Sequence, residues 1–267
     1  MKIRLTRSET GLVIALTLAI AVACLGPAVG QYADYHAFAD QRTLWGLPFA
    51  MDVLSNLPFA LVGVWGLVRL RSTDAPRPRA VFVTDETQRD LARLFFAGLI
   101  LTALCSTWYH LQPDDGGLTI DRMGMLAAFA GLLGLAAVDR ISERAGPWTA
   151  VAVLTLGPTA VGVWTMTGNL LPWTVLQGGG MLLVVALALR KPQFGAWDIP
   201  LVEVIAWYAL AKLLELGDHH ILALTQGLVS GHTLKHVAAA MAAWPVIAVM
   251  QNGTRARSSW PSSTIRT

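Results

Sequence analysis

Charge is what this sequence lacks most: Asp, Glu, Lys and Arg make up 14% of its 267 residues, where a soluble domain carries about 25%. So little charge cannot coat an ordinary water-facing surface, and lipid is the first solvent to consider. Cysteine is almost as scarce. Cys24 and Cys105 are the only two, both lie in apolar runs, and they exclude a disulfide framework without indicating a redox compartment. The net charge of +3 comes mainly from arginines near the ends of apolar runs. No basic patch forms, which argues against nucleic acid as a partner. The strict alternation of a barrel strand is also missing, leaving the helix as the way to satisfy backbone polar groups in hydrocarbon.

What is present is a series of long apolar runs, approximately 11–30, 52–70, 91–111, 121–138, 147–167, 171–190, 199–217 and 231–250. Each is close to the roughly 20 residues that carry a helix across a bilayer. Pro48, Pro147, Pro172 and Pro200 mark helix entries. The expected fold is an all-α polytopic transmembrane bundle, with a seven-helix domain at 52–250. Residues 1–30 form an extra N-terminal span or a cleaved signal peptide. A basic start, an apolar core and the small residues Ala28-Val29-Gly30 fit both. Residues 31–51 form an outer loop and 251–267 a cytoplasmic tail. There is no internal repeat.

Orientation follows from the arginines and lysines, which collect in cytoplasmic loops. Lys2, Arg4 and Arg7 precede the first run, Arg69, Arg71, Arg77, Arg79 and Arg89 follow the second, and Arg140 and Arg144 follow the fourth. Arg190 and Lys191 follow the sixth, and Arg255, Arg257 and Arg266 end the chain. The alternate loops hold Arg42 alone. Both termini are therefore expected inside, in a multi-pass protein of the plasma (inner) membrane, and Ser72 to Asp90 reads as a flexible linker.

Polar side chains inside spans are costly and are functional hypotheses by default. Run three ends with Ser106 and His110 on one helical face, and run eight begins with His232 and His236, also four apart. Asp121 opens run four, and Ser55 and Asn56 lie in the first turn of run two. The arginine-derived topology puts all of these near the outer face, although it was assigned without them. Three histidines can supply the protein ligands of a catalytic zinc and leave a position for water. A carboxylate such as Asp121, favoured in a first turn by the helix dipole, can move the proton, and Ser106 can donate to an oxyanion. Plainer roles exist: Asp121 as an N-cap, Ser106 back-bonded to its own helix, and the histidines as interfacial or haem-binding residues. In run seven, Lys212 and Glu215 are expected to pair structurally or to support the site, and His219 and His220 are loop residues that could gate it.

This motif set resembles the alkaline ceramidase family and its wider membrane-hydrolase superfamily, which includes adiponectin-receptor-like proteins. The resemblance rests on Ser-x-x-x-His at Ser106 and His110, an Asp eleven residues later at Asp121, and His-x-x-x-His at His232 and His236. Asp52-Val-Leu-Ser-Asn-Leu-Pro-Phe is similar to a helix of those enzymes that bears a Ser-Asn pair, here Ser55 and Asn56. The resemblance runs from about Met51 to Trp244, though between Arg140 and Gly231 it is mainly one of span number.

It implies a seven-helix zinc amidohydrolase that cleaves the N-acyl bond of ceramide to a sphingoid base and a fatty acid. His110, His232 and His236 would hold zinc, Asp121 would handle the proton and Ser106 would steady the oxyanion. Leu47-Pro48-Phe49-Ala50 lack the acidic residue of the eukaryotic calcium site. Asp34, Asp40 and Asp52 match no calcium loop, so calcium is not expected. The rival expectations are a lipid-sensing receptor with a structural zinc and a transporter. A transporter should line a full transmembrane path with polar residues, whereas here Glu203 is the main one away from the outer end.

Overall fold

The structure is a computed structural model that describes residues 4–72 and 83–250. The helices are α1 (Arg7–Leu25), α2 (Ala50–Leu54), α3 (Leu57–Ser72), α4 (Val83–Leu111), α5 (Asp115–Arg140), α6 (Ala145–Thr167), α7 (Leu171–Ala188), α8 (Leu201–Leu216), α9 (Asp218–Leu224) and α10 (Gly231–Met241). Residues 244–250 continue α10 after a two-residue turn. Among the described residues there is no strand, and seven spans are long and apolar enough to cross a bilayer. The chain is therefore an all-α, multi-pass membrane bundle, as its apolar runs lead one to expect. The remaining run, the seventh, is α8 and has 16 residues. At 1.5 Å per residue it spans about 24 Å, short of a hydrocarbon core of roughly 30 Å.

Local sequence sets the helix ends. Thr6 and Glu9 form a reciprocal capping box at the start of α1. Pro147 and Pro172 lie in the opening turns of α6 and α7, and Pro200 caps α8. Two expectations need correction. The segment expected as a linker up to Asp90 is helical from Val83, with Gln88 and Arg89 buried. The run expected to start at Asp121 starts instead at Asp115, because the Asp114 side chain accepts from the Gly117 amide at 2.6 Å and caps the helix there. Lys2, Arg77, Arg79, Arg255, Arg257 and Arg266, used above for orientation, lie outside the described residues.

Two ends of the bundle can be distinguished by their contacts. At one end the segment after α1 meets the starts and ends of four other helices. The Leu170 amide donates to the Val29 carbonyl, His36 joins Tyr109 and Asp115, and the Ala39 amide donates to Asp218. At the other end Arg144 and Ser142 bind Glu9, Arg190 binds Ser8, and Asp139 binds the amides of Asp198 and Ile199.

Between the ends the interior is apolar, built on Phe95, Phe96, Leu99, Leu126, Leu133 and Val138. In lipid, helix association depends on close packing more than on the hydrophobic effect. α4 and α5 form the most extensive pair. A Cβ at Gly124 would lie 2.5 Å from the Cys105 Cβ, so glycine there lets α5 approach α4. The hydroxyl of Thr102 donates to the Gly98 carbonyl within α4 at 2.9 Å and leans toward the Gly124 carbonyl at 3.4 Å. This close contact sets Ser106 of α4 against Asp121 of α5.

Candidate metal centre

His110 lies in the last turn of α4, and His232 and His236 in the first two turns of α10. Residues four apart on a helix share a face, so the pair on α10 looks together at His110. The three ring centroids are 4.9 to 5.1 Å apart, and one nitrogen from each ring lies within 4.8 Å of the others. All three residues are buried, at 1%, 6% and 5% exposure.

The donor set fits a metal ion on two counts. A tetrahedral ion bound at about 2.0–2.1 Å holds its nitrogens about 3.3 Å apart, and the Nε2 atoms of His110 and His232 are 3.3 Å apart. The tautomer of His236 also follows from its partner. The Ser55 hydroxyl donates its one proton to the Asp52 carbonyl at 2.8 Å, so at 2.7 Å it accepts from His236 Nδ1. Nε2 of His236 is left with its lone pair free, which is how an oriented imidazole ligand is held. A group of three neutral nitrogens leaves coordination positions open for water or substrate.

The other expected residues fall into place around this group. Ser55 and Asn56 are not in a first helical turn but at the break between α2 and α3, where Ser55 is the C-cap of α2. Asn56 donates to the Asp52 carbonyl at 3.0 Å. Asp121 lies in the second turn of α5, so it is not a cap and gains nothing from the first-turn dipole. The Ser106 hydroxyl stands beside its carboxylate, and the other side of that carboxylate, Oδ1, is buried without a hydrogen-bond partner among the described residues. Asp121 is not one of the ligand atoms that converge. Its place next to Ser106, one turn before His110, suits proton transfer better than coordination.

Further residues surround the centre, of which Lys235, Asp218, Gly231 and Phe38 were not singled out from sequence. Asp52 is fully buried, and its Oδ1 accepts from Thr233 at 2.7 Å, tying α2 to α10. Lys235, between the two histidines of α10, reaches Glu215 at 2.6 Å, and Lys212 binds the other oxygen of Glu215 at 2.6 Å. The expected Lys212–Glu215 pair is thus one half of a three-residue bridge from α8 to α10. Asp218 accepts from the His232 amide at 2.7 Å and the Ala39 amide at 3.0 Å. Gly231 is required there, because a Cβ would collide with the Leu214 carbonyl and the Asp218 backbone.

Phe38 closes the loop side of the centre, its ring centroid 4.4 Å from His232 and 4.8 Å from His110. A lysine between two histidines inside a span was a readable signal; a phenylalanine in a loop was not. His219 and His220 lie in helix α9 and not in a loop, with His219 Nε2 3.2 Å from the Ala37 carbonyl. Asp34, Asp40 and Asp52 do not gather. Asp34 is exposed, Asp40 is paired with Arg42, and Asp52 is bonded to Thr233. Neither a family model nor a curated protein matches this chain.

Proposed function

We propose that this protein is an intramembrane zinc-dependent amidohydrolase that cleaves the N-acyl amide bond of ceramide or a similar long-chain lipid amide. The products are a fatty acid and a sphingoid base or amine. The observation that carries this reading is the convergence of three buried imidazoles beside a carboxylate and a hydroxyl that belong to no other network. The motif resemblance to the alkaline ceramidases supports the same reaction.

His110, His232 and His236 would hold the zinc, which would supply Lewis acidity and make water more acidic. Asp121 accepts a proton from the attacking water as its oxygen bonds to the amide carbon. It returns that proton to the amine nitrogen as the C–N bond breaks. Ser106, which faces Asp121 at rest, turns its hydroxyl to the developing oxyanion once Asp121 is protonated. Ser55 and Asp52 hold the His236 ring in one tautomer, and Phe38 keeps bulk water from the loop side. The arginine-rich loops favour an orientation with both termini in the cytoplasm and the histidines near the outer face.

One observation favours a second reading. The closure of the centre by Phe38 equally suits a lipid-sensing receptor with a structural zinc. Three measurements separate them. Elemental analysis of purified protein should give one zinc per chain, lost in His232→Ala. Incubation with a detergent-solubilised ceramide should release fatty acid. Asp121→Asn should keep its zinc and lose about 10²- to 10⁴-fold in rate. Zinc retained in His232→Ala would remove the metal assignment, and zinc without fatty-acid release from any long-chain amide would favour the receptor.

A further inference from the structure

A second set of groups lies at the histidine end but outside the metal centre. Arg122 follows Asp121 on α5, is 2% exposed, and has no carboxylate within ion-pairing distance among the described residues. Its guanidinium is 4.0 Å from the Trp164 ring centroid, 5.5 Å from that of Trp173 and 5.7 Å from that of Tyr35. Nη2 donates to the Gln31 side-chain oxygen at 2.7 Å, and the Tyr35 hydroxyl lies beside it. Nε and Nη1 are buried and have no hydrogen-bond partner among the described residues.

Stacking on aromatic rings offsets part of the cost of burying this cation. It does not occupy the unspent donors, and a buried guanidinium ordinarily meets a carboxylate or phosphate. Gln31 and Trp164 form part of the wall of an open cavity of about 300 Å³, shared with Tyr32, His36 and Asp115. Two of the four residues around the guanidinium thus face this cavity, and Arg122 itself lies behind them.

We propose that this is a second binding site, in which Arg122 receives the oxyanion of a lipid, a phosphate diester or a carboxylate, with Gln31 turning aside to admit it. A lipid fits better than a soluble anion because the cavity lies at the ends of two helices that cross the bilayer, walled by Asp115 at the start of α5 and by Trp164 and Gly168 at the end of α6. Ile120 and Met123 next to it on α5, and Met166 on α6, are exposed at 41%, 40% and 87% and would meet acyl chains. Tryptophan and tyrosine around a cation are also the composition of a membrane interface. Asp115 is the opposing feature: its Oδ1 accepts from His36 and Gln31, and its side chain is 75% exposed at the cavity. An anion in the cavity feels that charge as repulsion, which gives the proposal a sign to test. The site stands independently of the chemistry at the histidines.

Purified protein in neutral detergent would be titrated with short-chain phosphatidylglycerol, octanoate, inorganic phosphate and short-chain phosphatidylcholine. Bound molecules are counted by native mass spectrometry. Phosphatidylglycerol or octanoate should bind saturably, at least tenfold tighter than inorganic phosphate or phosphatidylcholine. Arg122→Gln should abolish that preference, and the retained charge of Arg122→Lys should keep part of it. Asp115 is exposed, so Asp115→Asn should fold normally and bind the anionic lipid about threefold tighter, the factor a unit charge several ångströms away exerts in water. Weaker binding in Asp115→Asn would mark a cation site and overturn the proposal. So would equal binding of phosphatidylcholine, inorganic phosphate binding as tightly as the lipids, or anionic-lipid binding unchanged in a folded Arg122→Gln.

Discussion

The two ends of this bundle both bury polar groups but treat them differently. At the end where Arg144 meets Glu9, the buried charges are matched. Glu9 accepts from Thr6, Ser142 and Arg144, and Asp139 accepts from the Asp198 and Ile199 amides and from Gln88 while pairing with Arg140. At the histidine end the matching is incomplete. Of eight buried polar atoms without a hydrogen-bond partner among the described residues, six are there, on Asp52, Asn56, His110, Asp121 and Arg122. Buried polar atoms are nearly always paired in folded proteins, and exceptions concentrate where something else is bound or made. One end therefore closes the fold, and the other holds buried polar atoms with unspent valences.

The comparison can be broken most forcefully at its closed end. Asp139→Ala would leave two amides, Gln88 and the Arg140 guanidinium without their shared acceptor. Removing one partner of a buried network costs about 3–5 kcal/mol. Thermal unfolding in detergent should show a large loss of stability, and metal content at a temperature where the variant is still folded should be unchanged. A variant that unfolded normally but lost its metal would mean that the two ends are not separable.

At the open end the matching substitution should act on the ligand and not on the fold. Ser55→Ala removes the acceptor that holds the proton on His236 Nδ1, and such outer hydrogen bonds are worth about 10- to 100-fold in metal affinity. Competition with a chelator should show that loss, with little change in unfolding temperature. A large drop in stability with unchanged affinity would place Ser55 among the groups that close the fold.

How much of this contrast could be read in the sequence depends on which contacts are local. The apolar runs were legible because a helix in hydrocarbon must be about 20 residues long whatever its neighbours. His110, His232 and His236 were legible together because arginines counted in loops put separate helices in register without any packing information. The failure at the start of α5 was local, and the others came where tertiary contacts decide. Asp121 was expected in a first turn, but Asp114, with the Gly117 amide in reach, starts the helix earlier. Ser55 and Asn56 were expected inside a continuous helix, but the chain breaks there to bring Ser55 under His236. Asp218 and Phe38 act on residues far along the chain, on His232 and, through Phe38, on His110 as well. No periodicity marks such contacts.

The smallest effect is expected in the segment that covers the open end. Asp40 is buried, and the Arg42 guanidinium bonded to it holds its carboxyl below the usual carboxylate value of 3.8. A carboxyl that is more acidic when folded adds stability above its unfolded pKa, and that stability is lost as the pH falls through the lower, folded value. Arg42 keeps 42% of its side chain exposed, so solvent screening limits the pair to about 1 kcal/mol at most. Arg42 also donates to the Leu228 carbonyl at 3.0 Å, which ties the segment to the turn before α10. Asp40→Asn should therefore unfold slightly below the wild type at pH 7, and the two should converge as the pH is taken below 3.8. A gap that persisted in acid would mean that Asp40 acts through its shape and backbone contacts. The segment over the histidines would then be held by packing around Phe38 and not by charge.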